Sequence, residues 1–171
     1  RHDVFTKEYV EKYPDSFDPN TPKEVIYVGS KKLTDTIDID GQPIPIGKLV
    51  LSPTRTYLPI LKKILDQHRA NIHGIIHCTG GGQTKVSKFI QDKLIVKDNL
   101  LPTPPLFQLI QSEAGTSWRE MYQVFNMGHR LEFYLPKQYA SSIIEIAKSF
   151  NIDAQIIGRV EAATGAKVRI D

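Results

Sequence analysis

The chain has 171 residues, with 22 Lys and Arg against 19 Asp and Glu. This length favours one domain, and a composition that is 40% apolar and 24% charged is typical of a globular protein rather than a disordered one. A net charge of +3 gives no basis for a nucleic-acid surface, and the single Cys78 excludes an intramolecular disulfide and a cysteine-based zinc site. No apolar run approaches the roughly 18 residues of a membrane span. We therefore expect neither nucleic acid nor a membrane as partner, and a cytoplasmic location.

The first third of the chain is predicted to be the least regular part. Apolar residues at helical spacing predict a helix over 1–13, which begins with Arg1 rather than Met and suggests a fragment of a longer protein. A β-hairpin is predicted around an Asp-Gly dipeptide, with one isoleucine pair facing the other: Ile37 and Ile39 before the turn, Ile44 and Ile46 after it.

Beyond residue 53 the patterns are sharper. They predict a helix from Thr54 or Tyr57 with Pro59 in its first turn, then a strand over 72–79, a short helix around 83–90 and a strand over 94–97. Two helices follow, one over 105–113 and one that begins at a Thr116 cap. The chain then continues with a strand over 129–135, a helix over 137–150, and a closing hairpin of 154–162 and 167–170. Helices alternating with short strands predict an α+β fold, a mixed sheet covered by helices.

Three of these elements carry a predicted burial pattern. The helix after Tyr57 has one apolar stripe: Leu58, Leu61, Ile64, Leu65 and His68. The helix after Thr116 has a core-facing stripe: Trp118, Met121, Tyr122 and Phe125. In the strand over 129–135, strict alternation predicts that Leu131, Phe133 and Leu135 face inward and that Arg130 and Glu132 are exposed.

The strongest chemical signal is the run Thr79-Gly80-Gly81-Gly82 between a predicted strand and helix. Three glycines permit positive φ angles and close approach of a ligand to backbone N–H groups, and a helix start favours an anion such as phosphate. Lys85, one turn later, adds positive charge. The run does not fit a Walker loop, and a plain strand-to-helix turn is the alternative.

Two further segments are candidate ligand contacts. Asn126 and Gly128 lie between a helix and a strand, where they could hold a polar ligand or simply form a turn. Thr54 and Arg55 lie at a helix start, where the guanidinium could bind a phosphate or the helix could simply be capped. No metal ligands are predicted, because histidines four residues apart on a strand are about 13 Å apart. No catalytic acid, base or nucleophile is identified from spacing.

Taken together, three segments resemble one family: LSPTRTY (51–57), HCTGGGQTK (77–85) and FNMGHRLEFYLP (125–136). In order and spacing they are similar to the C-terminal domain of aminoimidazole ribonucleotide (AIR) synthetase, also called phosphoribosylformylglycinamidine cyclo-ligase. The resemblance covers residues 48–171, and residues 1–47 are interpreted as an N-terminal helix and an irregular extension. It implies a single AIR synthase-related C-terminal domain without the family's N-terminal ATP-binding domain.

The resemblance implies a ligase of purine biosynthesis. It implies ATP-dependent closure of formylglycinamidine ribonucleotide to aminoimidazole ribonucleotide, with Mg²⁺, in a full-length enzyme that is a homodimer. It places Thr79 to Gly82 at phosphates, Asn126 and Gly128 in a cleft facing the N-terminal domain, and Thr54 and Arg55 close by. The chain alone is expected to fold, to require no cofactor and to be inactive.

Two other hypotheses remain open from the sequence. The chain could belong to another enzyme of the same superfamily, namely formylglycinamidine ribonucleotide synthetase, selenophosphate synthetase or thiamine monophosphate kinase. It could also be a non-catalytic binding module that keeps the fold, in which case the glycine run is only a turn.

Overall fold

A computed structural model describes residues 2–53 and 55–171, except for the side chain of Lys23. Its α-helices are α1 (Tyr9–Lys12), α2 (Ile46–Val50), α3 (Leu58–His68), α4 (Pro105–Ala114), α5 (Trp118–Val124) and α6 (Ala140–Lys148). Its strands are β1 (Thr36–Ile39), β2 (Gln42–Pro45), β3 (Gly74–His77), β4 (Lys93–Lys97), β5 (Leu131–Tyr134), β6 (Gly158–Ala162) and β7 (Ala166–Ile170). Short 3₁₀ segments lie at His2–Val4, Pro14–Ser16, Lys23–Val25, Arg69–Asn71, Gly82–Phe89 and Lys137–Tyr139. The mixed α+β class predicted from the sequence is confirmed.

Contacts divide the chain into two compact units, Arg1–Thr54 with Thr103–Met121, and Arg55–Pro102 with Tyr122–Asp171. In the described residues of the first unit, the predicted hairpin is present as the antiparallel pair β1–β2, in which Ile37 lies opposite Ile44. Ile46 is not part of the hairpin, because it begins α2. The single helix predicted over 1–13 is wrong, since a 3₁₀ turn and the four-residue α1 occupy that range.

The second unit contains two sheets. Strands β3 and β5 pair antiparallel, with Ile75 opposite Phe133. Strand β4 is the centre of a three-stranded sheet with β6 antiparallel on one side and β7 parallel on the other. Helices α3 and α6 pack together around an apolar cluster, which Phe133 and Leu135 of the β5 region join: Ile60, Ile64, Ile143, Ile146 and Ala147.

The predicted hairpin of 154–162 with 167–170 is wrong. Both strands exist, but β4 lies between them, so that β6 and β7 do not pair with each other. The connection crosses the start of β4 and is attached there at Asp92, whose backbone oxygen accepts from the Ala163 N–H at 3.2 Å and whose Oδ1 accepts from the Gly165 N–H at 2.9 Å. The short spacing between two strands was therefore not evidence that they are neighbours.

Several helix predictions are refined by the structure. Helix α3 does have Pro59 in its first turn, but Ile60 and Ile64 form its buried side, whereas Leu58 is 75% exposed. The predicted cap Thr116 is wrong, because the Ser117 hydroxyl accepts the Glu120 N–H at 3.3 Å. Buried side chains in α5 and α6 include Met121, Ile143, Ile146 and Ala147, while Trp118 is 47% exposed.

The prediction for β5 is half right. Phe133 and Leu135 pack against the apolar cluster, as alternation predicted. Glu132, which was predicted to be exposed, is only 5% exposed. The strand is therefore covered on both faces, one apolar and one polar. Glu132 on the polar face belongs to the candidate site described below. Among residues 2–53 and 55–171, no helix has the length and apolar character needed to cross a membrane.

Candidate functional site

The glycine run forms a left-handed turn between β3 and the 3₁₀ segment Gly82–Phe89. Gly80, Gly81 and Gly82 have φ angles of 51°, 93° and 49°, a region that side chains other than glycine rarely adopt. Consecutive left-handed residues point successive N–H groups to one side, as a helix start does. Within residues 2–53 and 55–171, these three N–H groups have no hydrogen-bond acceptor. The N–H groups of Gly80, which is exposed, and of Gly81, which is partly exposed, are therefore available to an external acceptor, whereas Gly82 is buried.

Lys85 adds a positive charge beside this turn. Its ammonium donates to the His77 carbonyl at 2.9 Å and to the Thr79 hydroxyl at 3.3 Å. Both contacts are on the exposed surface, and Thr79 and Gly80 are exposed as well. The lysine is thus held next to the glycine turn, where its charge favours an anion at the N–H groups.

The second candidate segment, Phe125–Gly128, forms a closed turn. The Asn126 side-chain oxygen accepts the Gly128 N–H at 2.9 Å, and the Asn126 carbonyl accepts the His129 N–H at 2.9 Å. Met127 and Gly128 have φ angles of 51° and 96°. Asn126 therefore uses its side-chain oxygen to shape the turn, while its amide nitrogen makes no hydrogen bond with the described part of the chain.

The structure brings these two turns together. A Cβ atom on Gly82 would lie 2.4 Å from the Phe125 carbonyl oxygen and 2.7 Å from that of Tyr122, so the two backbones are in direct contact. The Gln83 side-chain amide donates to the Asn126 carbonyl. Sequence reasoning identified both turns separately, and their contact is a result of the fold.

Of the third candidate pair, Arg55 alone is described, and it has no bond to either turn within residues 2–53 and 55–171. Thr54 lies outside the described residues. Arg55 is exposed and lines a separate depression of about 350 Å³ with Phe150 and Asn151 among its walls. In the described ranges, Arg55 makes no hydrogen bond or ion pair with the glycine turn.

A buried polar cluster that the sequence analysis missed lies beneath the two turns. We call it the Lys97 cluster, and its members are Gln83, Lys97, Glu132 and Tyr134. The Lys97 side chain is 1% exposed and donates to the Gln83 carbonyl at 2.8 Å, to the Gln83 side-chain oxygen at 2.9 Å and to Glu132 Oε1. The other carboxylate oxygen, Glu132 Oε2, accepts the Tyr134 hydroxyl at 2.7 Å. All three ammonium hydrogens of Lys97 are therefore used.

Burial and this carboxylate shift the pKa values of neighbouring groups. Burial, reinforced by Glu132, raises the pKa of the Cys78 thiol to about 12 and raises that of Tyr134 as well. Both groups are therefore protonated at neutral pH, and Cys78 lacks the thiolate that a nucleophile needs. Burial lowers the pKa of His129, whose Nε2 accepts the Leu101 N–H at 2.8 Å and is thus the unprotonated nitrogen.

A cavity of about 840 Å³ adjoins the cluster in the second unit. Its walls include Lys97, Glu132 and Gly128, apolar residues of α3, α6 and β5, and the segment 152–160. Of the cations in its wall, Lys97 and Arg159 are paired with carboxylates, whereas Arg130 and Lys137 form no ion pair with the described residues. The described residues bring no three His, Cys, Asp or Glu side chains together in a group that could hold a metal ion.

Many ligand-binding proteins share an α+β fold with a glycine-rich turn after a strand, and comparison with known proteins identifies the family. The chain matches the family described as "AIR synthase related protein, C-terminal domain" over residues 30–171. The chain therefore belongs to the AIR synthase related family, as its C-terminal domain. The match begins upstream of residue 48, where the sequence motifs place the start of the domain.

Curated relatives carry the name phosphoribosylformylglycinamidine cyclo-ligase. The protein from Methanococcus vannielii is 36% identical over 113 residues, covering 66% of this chain and 32% of the relative. That from Methanocaldococcus jannaschii is 36% identical over 117 residues, covering 67% and 33%. That from Syntrophus aciditrophicus is 32% identical over 149 residues, covering 85% and 42%. The chain thus spans between 32% and 42% of the length of these relatives.

A solved structure shows the same fold. The hydrogenase maturation protein HypE of Escherichia coli superposes with a TM-score of 0.52 at 18% identity, covering 74% of this chain and 41% of HypE. This likeness concerns the fold and gives no information about the ligand.

Proposed function

We propose that these residues are the C-terminal part of a phosphoribosylformylglycinamidine cyclo-ligase, and that the glycine turn binds the phosphate of the ribonucleotide. The enzyme would close formylglycinamidine ribonucleotide to aminoimidazole ribonucleotide with ATP, a ligase reaction of purine biosynthesis. The name and 32–36% identity of the curated relatives support the activity. The observation that carries the binding role is the set of three glycine N–H groups without internal acceptors, beside Lys85.

The contribution of this chain to the reaction would be positioning. Backbone N–H groups and the Lys85 ammonium would fix the phosphate end of the substrate, and fixing a substrate lowers the entropic cost of reaching the transition state. The Asn126 amide nitrogen, in the adjacent turn, would donate to a second polar group of the same ligand. Cys78 and Tyr134 would take no part in proton transfer, because both are held protonated.

On this proposal, ATP and Mg²⁺ are bound by the part of the full-length enzyme that lies outside the matched residues. The described residues offer no group of acidic side chains for Mg²⁺. We also propose that the N-terminal domain of the family and a second copy of the full-length chain are the partners of the enzyme. On this proposal, the 171 residues alone bind the ribonucleotide phosphate and produce no aminoimidazole ribonucleotide.

The binding proposal is tested with ¹⁵N-labelled chain titrated with ribose 5-phosphate, and with ribose as the uncharged control. Ribose 5-phosphate should shift the amide signals of Gly80, Gly81 and Gly82, and ribose should not, because the charge provides the interaction. Absence of shifts at the three glycines at saturating phosphate would contradict the proposal.

A matched pair of variants separates ligand binding from backbone strain. Gly81→Val places a side chain at φ 93°, and the control Gly165→Val does so at φ 73° in a turn with open space around it. Each should cost about 1–3 kcal/mol of stability through strain. Only Gly81→Val should weaken ribose 5-phosphate binding, by at least about tenfold, since it disturbs the N–H groups that contact the phosphate. In the full-length enzyme the same change should raise KM for the ribonucleotide, and equal affinities for the two variants would refute the role of the turn.

A further inference from the structure

Besides the direct backbone contact at Gly82, a side-chain hydrogen bond from Gln83 joins the two turns. Gln83 follows Gly82 directly, is fully buried and touches both turns. Its side-chain amide donates to the Asn126 carbonyl, and its own carbonyl and side-chain oxygen both accept from Lys97. The orientation of the Gln83 amide is therefore fixed from two sides.

Lys97 is itself held by strand β5. Its third hydrogen bond goes to Glu132, and the second oxygen of that carboxylate is occupied by the Tyr134 hydroxyl. The result is a continuous chain of hydrogen bonds from the Asn126 carbonyl through Gln83, Lys97 and Glu132 to Tyr134. The end of β4 and the middle of β5 are thereby joined to the glycine turn and to the Phe125–Gly128 turn.

A buried ion pair is a poor way to gain stability, because removing two charges from water offsets most of their attraction. Replacing both partners by apolar side chains of similar size is often neutral for stability, whereas removing one partner is costly. A hydrogen-bonded ion pair does fix the orientation of the groups it joins, because each donor and acceptor must meet at hydrogen-bond distance and angle. Two adjacent ligand-binding turns require such a fixed orientation relative to each other.

We infer that Lys97 and Glu132 form a positioning pair that sets the glycine turn in register with the Phe125–Gly128 turn through Gln83. Its effect on ligand affinity rests on the proposed phosphate-binding function, whereas its effect on the geometry of the two turns does not. Neither residue touches the ligand. The pair acts by holding Gln83, and hence the three glycine N–H groups, in one place.

The test uses the 171-residue chain and the double variant Lys97→Met/Glu132→Leu, which removes both charges and keeps the volume. The matched control is Lys62→Met/Asp66→Leu, which removes an exposed lysine–aspartate pair with a 2.6 Å contact on α3. Three quantities are measured: Tm, the hydrogen-exchange rates of the Thr84 and Gly128 amides, and Kd for ribose 5-phosphate. Thr84 and Gly128 report on the two turns, because their amides donate to Gly81 and to Asn126.

If the pair has a positioning role, the cluster variant should change the exchange rates and Kd much more than Tm. Tm should stay within a few degrees of the wild type, while both amides exchange at least about tenfold faster and Kd rises at least about tenfold. The control should change none of these. Unchanged exchange rates in a folded double variant would overturn the inference.

A second variant carries the test if the double variant does not fold. Gln83→Met keeps the ion pair and the length of the side chain but removes its hydrogen bonds to Asn126 and Lys97. The same acceleration of exchange is expected, and its absence would overturn the inference. Failure of the wild type to bind ribose 5-phosphate would instead refute the proposed function, while the exchange rates would still decide the positioning role.

Discussion

The glycine turn and the Phe125–Gly128 turn are built from similar residues but use their polar groups in opposite ways. Both contain residues with positive φ, and both adjoin a strand of the same sheet. The first leaves its glycine N–H groups without internal acceptors, whereas the second satisfies the Gly128 and His129 N–H groups through Asn126. On the proposed function, the first turn would bind the ligand through its backbone N–H groups, while the second would support the first and contribute the Asn126 side-chain amide.

The same division occurs within the glycine run itself. Gly80 is exposed, and a Cβ atom there would meet nothing within 4 Å. Gly82 is buried against the Phe125 carbonyl. The three glycines therefore meet two structural requirements: N–H groups without acceptors at the start of the run, and close backbone contact at its end.

The largest expected effect comes from Gly82→Ala. The new Cβ atom would overlap two backbone carbonyl oxygens at positive φ, so the free energy of unfolding should fall by about 4 kcal/mol. Gly80→Ala is the control, because it adds the same atom at φ 51° in open space and should cost about 1–2 kcal/mol. Urea denaturation measures both. Equal losses would mean that the two turns are not in contact.

A smaller loss is expected from Asn126→Ala. It removes the hydrogen bond from the Gly128 N–H to the side-chain oxygen, which should cost about 1 kcal/mol. Gln123→Ala, at an exposed position in α5, should change stability by less than about 0.5 kcal/mol. If Asn126→Ala were as neutral as the control, the self-supporting nature of the second turn would be disproved.

The supporting side of the site should be sensitive to acid through His129. Burial lowers the pKa of His129 below its usual 6.5, so the folded state favours the neutral ring. The unfolded chain takes up a proton as the pH falls below about 6.5, and stability should therefore decline there and be unaffected above. Replacing His129 by Gln should reduce this acid dependence in denaturation series between pH 7 and 5. His73, which is exposed, provides the comparison, and His73→Gln should leave the slope unchanged.

The smallest expected effect, at moderate pH, concerns the reactivity of the Cys78 thiol and its contribution to stability. With its pKa raised from 9.0 to about 12, the thiol should resist alkylation by iodoacetamide at pH 8 in the folded chain and react after denaturation. Because the folded state retains the proton, stability should fall as the pH rises from about 9 toward 12. Rapid labelling of the folded chain would show that the buried side of the glycine turn opens readily. Mass spectrometry measures the labelling.

The sequence was sufficient for features that depend on neighbouring residues. Three glycines after the apolar strand 72–79 predict the turn, and alternation in β5 predicts that Phe133 faces the core, because both signals are local. The burial of Glu132 was not predictable in this way. It depends on Lys97, which reaches the same place from another strand, and the alternating pattern carries no information about a polar partner.

One signal for the Lys97 cluster was present in the sequence. Lys97 ends the apolar strand segment Leu94–Val96, and Glu132 is the single charge between apolar residues in β5. Opposite charges on two otherwise buried strands suggest a pair, since buried charges require partners. Locating that pair under the glycine turn still required the pairing of the strands.

The central position of β4 has a consequence for how the chain is made. Its parallel partner β7 follows it by roughly 70 residues, and parallel pairings over such distances form slowly. A ribosome-bound chain that has emerged only as far as β6 presents one side of β4 unpaired, with Ile95 and Val96 in that strand. Such an edge is a template for other extended chains. Synthesis speed and chaperone contact while β7 emerges should therefore influence the yield of folded protein more than events near the glycine turn.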